Sequence, residues 1–214
     1  MLHQSTVESK TFELLNRLMI DEMFSNFHLV GGTALALQLG HRKSIDLDLF
    51  TTENFNFEDM RKYLKENYEF IDSYFGKNTL KGTIRDVKID LITHAYRLVA
   101  QIVTENNIRM YSVKDIAAMK LNAIVHNGTR VKDFIDVAWL STMLSLSEML
   151  EAYEIKYQSS YFPALKGLLY FNDIDFNEPI QMINGQFQWE IIKKRLEMMS
   201  DDPKCVFPKA PLGR

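Results

Sequence analysis

The chain is predicted to be α+β: a mixed sheet flanked by helices, followed by a helical C-terminal part. Three observations lead there. Residues 27–50 run as a short apolar stretch, a glycine turn, a short helical stretch and a second strand-like run. Residues 70–93 hold three more runs of alternating apolar and polar residues, separated by turn-forming residues. From residue 112 onward the apolar spacing changes to the helical 3–4 repeat, punctuated by the capping signals Ser112-x-x-Asp115 and Ser145-x-x-Glu148.

In chain order, Ser5-x-x-Glu8 reads as a capping box, and Phe12, Leu15, Leu18, Met19 and Met23 follow at helical spacing. Phe27 to Val30 is a buried strand, and Thr33 to Leu39 a short helix closed by Gly40. Ser44 to Phe50 is a strand, and a polar, aromatic-rich connection leads to a helix over Phe57 to Asn67. The strands Phe70–Phe75, Thr79–Arg85 and Val87–Thr93 follow, with Asp86 in the turn between the last two, and Ile108–Tyr111 is a fourth run. Ile116, Met119, Leu121, Ala123 and Ile124 line a helix broken at Asn127-Gly128. A second helix starts near Thr129, and a third is capped at Ser145. Breaks at Pro163, around 177–179 and at Gly185 divide the helices after it, and Pro203, Pro208 and Pro211 mark a loose tail.

Bulk composition is that of an ordinary globular protein: 46% hydrophobic and 25% charged over 214 residues. The single cysteine, Cys205, excludes an internal disulfide and a cysteine-based zinc site. No apolar run reaches transmembrane length and no signal-peptide core is evident at the N-terminus, so the cytoplasm is the expected location. A net charge of −3 gives no global basic footprint. Basic groups are local, at Arg42-Lys43, at Lys114 to Lys132 with Arg130, and at Lys193-Lys194-Arg195, the last read as a solvated helix face.

The chemistry concentrates at Gly31-Gly32 and at Asp46 and Asp48. Residues i and i+2 of a strand share a face, so the two carboxylates project together while Ile45, Leu47 and Leu49 point the other way. Paired carboxylates repel unless a cation lies between them, and hard oxygen donors favour Mg²⁺ or Mn²⁺. The glycines let backbone N–H groups approach an anion at the start of a helix. A phosphate cradle beside a paired-carboxylate metal site suggests chemistry on a nucleoside triphosphate. In Val87-Lys88-Ile89-Asp90-Leu91-Ile92, alternation puts Asp90 on the face opposite its apolar neighbours, where it can join Asp46 and Asp48 around two ions roughly 3.5–4 Å apart.

The string G-G-T-A-L-A-L-x-L-G-H-R-x-S-x-D-L-D-L-F resembles the first motif of the AbiEii/AbiGii toxin family, within the DNA polymerase β-like nucleotidyltransferase superfamily. The resemblance covers roughly residues 28–140. It implies a polymerase-β-like nucleotidyltransferase core over 1–111 and a helical region over 112–214 packed on it. It also implies catalytic roles for Asp46, Asp48, Asp90 and Lys120, the three aspartates being the metal ligands. Arg130-Val-Lys-Asp-Phe-Ile-Asp136 resembles the family's later K-D-x-x-D motif.

Nucleotide contacts are then expected from Gly31, Gly32, Thr33, Arg42, Ser44, Lys120, Lys132 and Asp136. Most have a plainer structural reading: a strand-to-helix turn for the glycines, a helix cap for Thr33, a surface ion pair for Arg42, snorkelling for Lys120 and, with neighbouring Asp133, a helix-dipole charge for Asp136. His41 and His94 read as structural histidines. The family's toxins carry a larger C-terminal helical region than follows Asp136 here, which weakens the case for a tRNA acceptor relative to nucleotidyl transfer itself.

The expected activity is Mg²⁺-dependent (or Mn²⁺-dependent) transfer of an NMP from an NTP to a hydroxyl acceptor, with release of pyrophosphate. RNA, tRNA-like, is the expected acceptor, and the role is that of the toxin of a toxin–antitoxin pair with a cognate antitoxin as partner. Two alternatives stay open: transfer to a small molecule or protein, and a non-catalytic nucleotide-binding module.

Overall fold

The computed structural model describes residues 1–213, which form two compact units. The first comprises residues 1–38, 44–96 and 102–111. The second comprises 39–43, 97–101 and the chain from 112 onward.

The first unit is built on a seven-stranded mixed sheet. Its strands are β1 (His28–Val30), β2 (Leu47–Thr51), β3 (Ile71–Gly76), β4 (Thr79–Ile84), β5 (Val87–Thr93), β6 (Val103–Glu105) and β7 (Ile108–Met110). They lie in the order β3-β4-β5-β2-β1-β7-β6. β2 runs parallel to β5, β1 runs parallel to β7, and the remaining neighbours are antiparallel. The helices α1 (Ser9–Ile20), α2 (Gly31–Leu39) and α3 (Phe57–Tyr68) complete the unit.

The sheet's register explains its two faces. Phe75, Leu80, Leu91, Leu49, Leu29 and Met110 are successive cross-strand partners and form one apolar row. The four leucines and Met110 are fully buried in it. Phe57 at the start of α3 stacks on Phe75, 6.1 Å between ring centroids, which seats that helix on the apolar face. The next row along belongs to the opposite face and reads Tyr74, Lys81, Asp90, Asp48, Val30. The one-residue shift between rows exchanges the faces because the strand repeat is two.

The local expectations held unevenly. Gly40 ends α2 in the left-handed region (φ 69°), as a C-terminal glycine should. Ser5-x-x-Glu8 makes no capping box. A 3₁₀ turn occupies Gln4–Thr6, α1 starts after Glu8 without a side-chain cap, and Met23 lies in a separate 3₁₀ turn capped by Asp21. β6 is an unexpected strand. Asn106 and Asn107, both at positive φ, turn it tightly into β7, a conformation asparagine tolerates. Arg85 and Asp86 make the same kind of turn between β4 and β5.

The second unit is helical: α4 (Val113–His126), α5 (Val131–Leu140), α6 (Leu146–Tyr157), α7 (Phe162–Leu168) and α8 (Trp189–Asp201). Ser112 caps α4 by accepting from the Asp115 N–H, and Ser145 with Glu148 forms a full capping box on α6. α4 packs against α5, α6 and α7, while α8 packs on α5. Phe134, fully buried, meets the part-exposed rings of Phe171 and Trp189 edge to face. Buried Lys156 on α6 pairs with Asp115 at 2.8 Å, and Asp115 also accepts from the N–H groups of Val99 and Ala100, tying segment 97–101 to the helices. No helix among the described residues is long and apolar enough to cross a membrane.

Candidate active site

Asp48 on β2 and Asp90 on β5 are direct partners across parallel strands, so their side chains stand side by side on the face opposite the apolar row. Asp46 precedes β2 and is about half exposed. β2 is presented by α2. The Thr33 hydroxyl donates to the Asp46 carbonyl and shares a 2.8 Å hydrogen bond with Ser44 Oγ, while Ser44 N–H donates to Thr6 O. Thr33 and Ser44 therefore act here as the clamp that fixes the entry of the aspartate strand.

Gly31 sits at the first turn of α2 with φ 68°, and a Cβ there would collide with the Asp48 carboxylate. Both backbone conformation and close approach demand glycine at this point. The turn that exposes helix N–H groups and the carboxylate are in direct contact, with Gly32 next in the turn.

Sequence reasoning missed two cations beside these carboxylates. Lys81, the cross-strand partner of Asp90 on β4, places its Nζ 2.7 Å from Asp90 Oδ2. Lys88, two residues before Asp90, lies 4.0 Å from Asp46 Oδ2. The signal was available: a two-residue turn at Arg85-Asp86 pairs residue 81 with residue 90.

Asp90 is almost fully buried, and its second oxygen, Oδ1, has no hydrogen-bond partner. An acceptor-only oxygen without a donor is costly in a protein interior. A hard divalent cation would satisfy it, and with Asp48 alongside the donor set is all oxygen. The residues fit such an ion, although among the described residues no three His, Cys, Asp or Glu side chains are drawn together into a ready-made cluster.

The remaining predicted residues belong to the second unit, where a different geometry gathers most of them. Arg42 donates to both oxygens of Asp136, at 2.7 and 2.8 Å, and Lys120 Nζ lies 2.7 Å from both Asp133 and Asp136. His41 Nε2 lies 2.8 Å from Asp136 Oδ1. All five side chains are buried. Two cations face two anions, so the cluster is neutral when His41 is neutral.

Burial by itself would raise the Asp136 pKa, but the charges of Arg42 and Lys120 outweigh it and hold the carboxyl well below its usual range. Burial would depress Lys120, yet Asp133 and Asp136 raise it above the ordinary lysine value. For His41 burial prevails and the imidazole pKa is lowered. Lys132 stands apart from this group and pairs with Glu178 at 2.6 Å on the surface.

The sequence pattern of the nucleotidyl transferase AbiEii toxin, type IV toxin–antitoxin system, matches residues 13–205. An uncharacterized protein of Aquifex aeolicus (strain VF5) is 30% identical over 168 residues, which cover 75% of this chain and 81% of that protein. Among solved structures, a provisionally named nucleotidyltransferase from H. pylori superposes with a TM-score of 0.54 at 16% identity, covering 91% of this chain and 94% of the other. JHP933 from Helicobacter pylori gives 0.46 at 16% identity, covering 91% and 97%. At 16% identity the likeness to the first of these is one of fold.

Proposed function

The chain belongs to the nucleotidyl transferase AbiEii toxin family of type IV toxin–antitoxin systems and is a nucleotidyltransferase, and from that premise we propose that it moves an NMP from a Mg²⁺-bound (or Mn²⁺-bound) NTP to a hydroxyl of RNA. The observation that carries this reading is the facing pair Asp48 and Asp90, with Gly31 against the first and an unpartnered buried oxygen on the second. In this reading residues 1–111 are the catalytic core and residues 112–214 serve the acceptor or a cognate antitoxin.

Asp46, Asp48 and Asp90 would hold the divalent ion, which when bound supplies charge neutralisation of the triphosphate and acidifies a hydroxyl brought next to it. The chain's own residues do the positioning. The turn at Gly31-Gly32 offers N–H groups to phosphate oxygens at the start of α2. Thr33 and Ser44 keep the aspartate strand from shifting against that turn. The acceptor oxygen bonds to the α-phosphorus as the bond to the pyrophosphate oxygen breaks; its proton leaves to water or a carboxylate, and pyrophosphate departs. Such transfers depend on alignment and charge stabilisation far more than on covalent catalysis.

Lys120, Arg42 and Asp136 enter this reading as a set. Lys120 holds two carboxylates, so meeting a phosphate requires exchanging one of them, and Arg42 remains to neutralise Asp136 when that happens. Lys132 meets a phosphate by releasing Glu178.

The test is transfer of label from each α-phosphate-labelled NTP onto total RNA in the presence of Mg²⁺, with Asp48→Asn and Asp90→Asn beside the unmodified protein. Labelled RNA that vanishes in both variants, while their melting curves stay cooperative, is the expected result. Full labelling by either variant would remove the carboxylate pair from the mechanism. Labelling of a small molecule or protein instead would reassign the acceptor.

A further inference from the structure

The row that contains the catalytic carboxylates does not stop at Lys81. It continues to Tyr74 on the edge strand β3, giving Asp48, Asp90, Lys81 and Tyr74 in succession along one face of the sheet. A second row on that face runs from Lys88 on β5 through Thr83 to Ile71. Tyr74 is 57% exposed and Ile71 71% exposed, whereas Leu80, Leu91, Leu49 and Leu29 of the opposite, apolar face are fully buried.

A distortion of the strand puts Tyr74 there. The pairing of β3 with β4 shifts by one residue between Asp72 and Tyr74, leaving Ser73 as a bulge. With regular pairing Ser73 would face Lys81, and Tyr74 would turn toward Leu80 on the buried face. The bulge re-aims the tyrosine, a recognised use of bulges beside active sites. The flanking residues confirm the switch: Asp72 is tied to Arg61 and Lys65 of α3, and Phe75 stacks on Phe57, both on the helix-covered side. Gly76 then leaves room for the ring: a Cβ there would stand 3.3 Å from the tyrosine oxygen.

We propose that this open sheet face is the acceptor track, and that it takes a single-stranded nucleic-acid end. Tyr74 stacks a base, and Lys81 and Lys88 neutralise the backbone between that base and the carboxylates. The inference rests on the nucleotidyltransferase reading of Asp48 and Asp90. Strands lie about 4.8 Å apart, so Tyr74 stands roughly 10 Å from Asp90 and 14 Å from Asp48, the reach of about one or two nucleotides of extended strand. An exposed aromatic beside cations is how strands without fixed sequence are held: every base has a π-face and every linkage a charge. A duplex end cannot use the ring in this way, because its bases are already stacked on each other. Lys81 has a carboxylate partner in the absence of substrate and can transfer to a phosphate when Asp90 takes up a cation.

The experiment measures binding of a short 5′-fluorescein single-stranded RNA with a free 3′-hydroxyl, and of the same RNA in a blunt duplex, by anisotropy. The full chain is used, as Tyr74→Ala, Tyr74→Phe and unmodified protein, with Mg²⁺–NTP binding recorded on the same samples. Expected is single-strand binding that exceeds duplex binding and weakens about ten-fold in Tyr74→Ala, the value of one base–aromatic stack. Tyr74→Phe should stay within about two-fold, since the ring and not the hydroxyl does the stacking. Equal binding by Tyr74→Ala and the unmodified protein, a Phe variant as weak as the Ala variant, a preference for duplex, or no RNA binding at all would each overturn the proposal. These outcomes are separable from failure of the underlying reading, which would show as absent Mg²⁺–NTP binding in the unmodified protein.

Discussion

Replacing Asp136 by asparagine should cost more stability than any other isosteric change in the second unit. The side chain is fully buried and satisfies three partners: Arg42 through two hydrogen bonds of 2.7 and 2.8 Å, Lys120 at 2.7 Å and His41 at 2.8 Å. Lys120 keeps Asp133, but Arg42 exchanges its two-oxygen carboxylate grip for one neutral amide oxygen beside the Lys43 carbonyl at 3.0 Å, so a buried guanidinium loses its paired counter-charge. Removing one partner of a buried ion pair costs about 3–5 kcal/mol. The surviving carbonyl contact argues for the lower end, about 3 kcal/mol. At roughly 2–4 °C per kcal/mol for a chain of this size, Tm should fall by about 6–12 °C.

Both tryptophans, Trp139 and Trp189, lie in this unit, and Trp139 stands 5.6 Å from the His41 ring, so urea unfolding followed by tryptophan fluorescence reports the change directly. The reasoning also requires that Arg42→Met combined with Asp136→Leu be less destabilised than the sum of the two single changes, because the stranded charge leaves with its partner. A loss below about 1 kcal/mol for Asp136→Asn, or simple additivity in the double variant, would refute it.

Gly31→Ala places a methyl group in the space of the Asp48 carboxylate at a backbone angle that alanine resists, and should reduce nucleotidyl transfer at least about ten-fold while costing about 1–2 kcal/mol; wild-type kcat/KM in that variant would show that the turn tolerates displacement. Acid should weaken the protein in two stages. The His41 pKa is depressed in the folded state, so its contribution is complete above about pH 6.5 and is lost as pH falls from there, with half-buried His28 acting in the same sense. Asp136, held well below its usual range, adds a second loss as pH drops below about 3.9. A urea midpoint unchanged between pH 7.5 and 5 would mean that His41 is not buried in its neutral form.

Much of the strand pair that carries Asp48 and Asp90 was legible because it depends on neighbours in the chain. Asp48 and Asp90 follow from alternation along β2 and β5, and Gly31 and Gly40 mark places where only a positive φ lets the backbone turn, whereas Asp46, expected on the same strand, lies just before β2, and Ile45, expected on the core side, is 57% exposed. The β4–β5 hairpin was equally local, and counting back from its turn would have put Lys81 opposite Asp90. β6 is three residues long, too short for a periodic signal, so the Asn106-Asn107 turn was its clearest mark, whereas β7 was legible in the run Ile108–Tyr111.

The charges of the second unit were not legible in the same way. That Lys120 lies on an apolar helix face was visible, but its two partners come from another helix, and Arg42 and His41 reach Asp136 from 94 and 95 residues away. The bulge at Ser73, which decides the face Tyr74 occupies, likewise exists only in the pairing of two strands. The sequence by itself determined the α+β pattern, the carboxylates and the glycine turn, because sterics and side-chain alternation act between near neighbours. Only the tertiary structure decided which charges neutralise one another and which face the edge strand presents, because desolvation and register depend on segments that meet after folding.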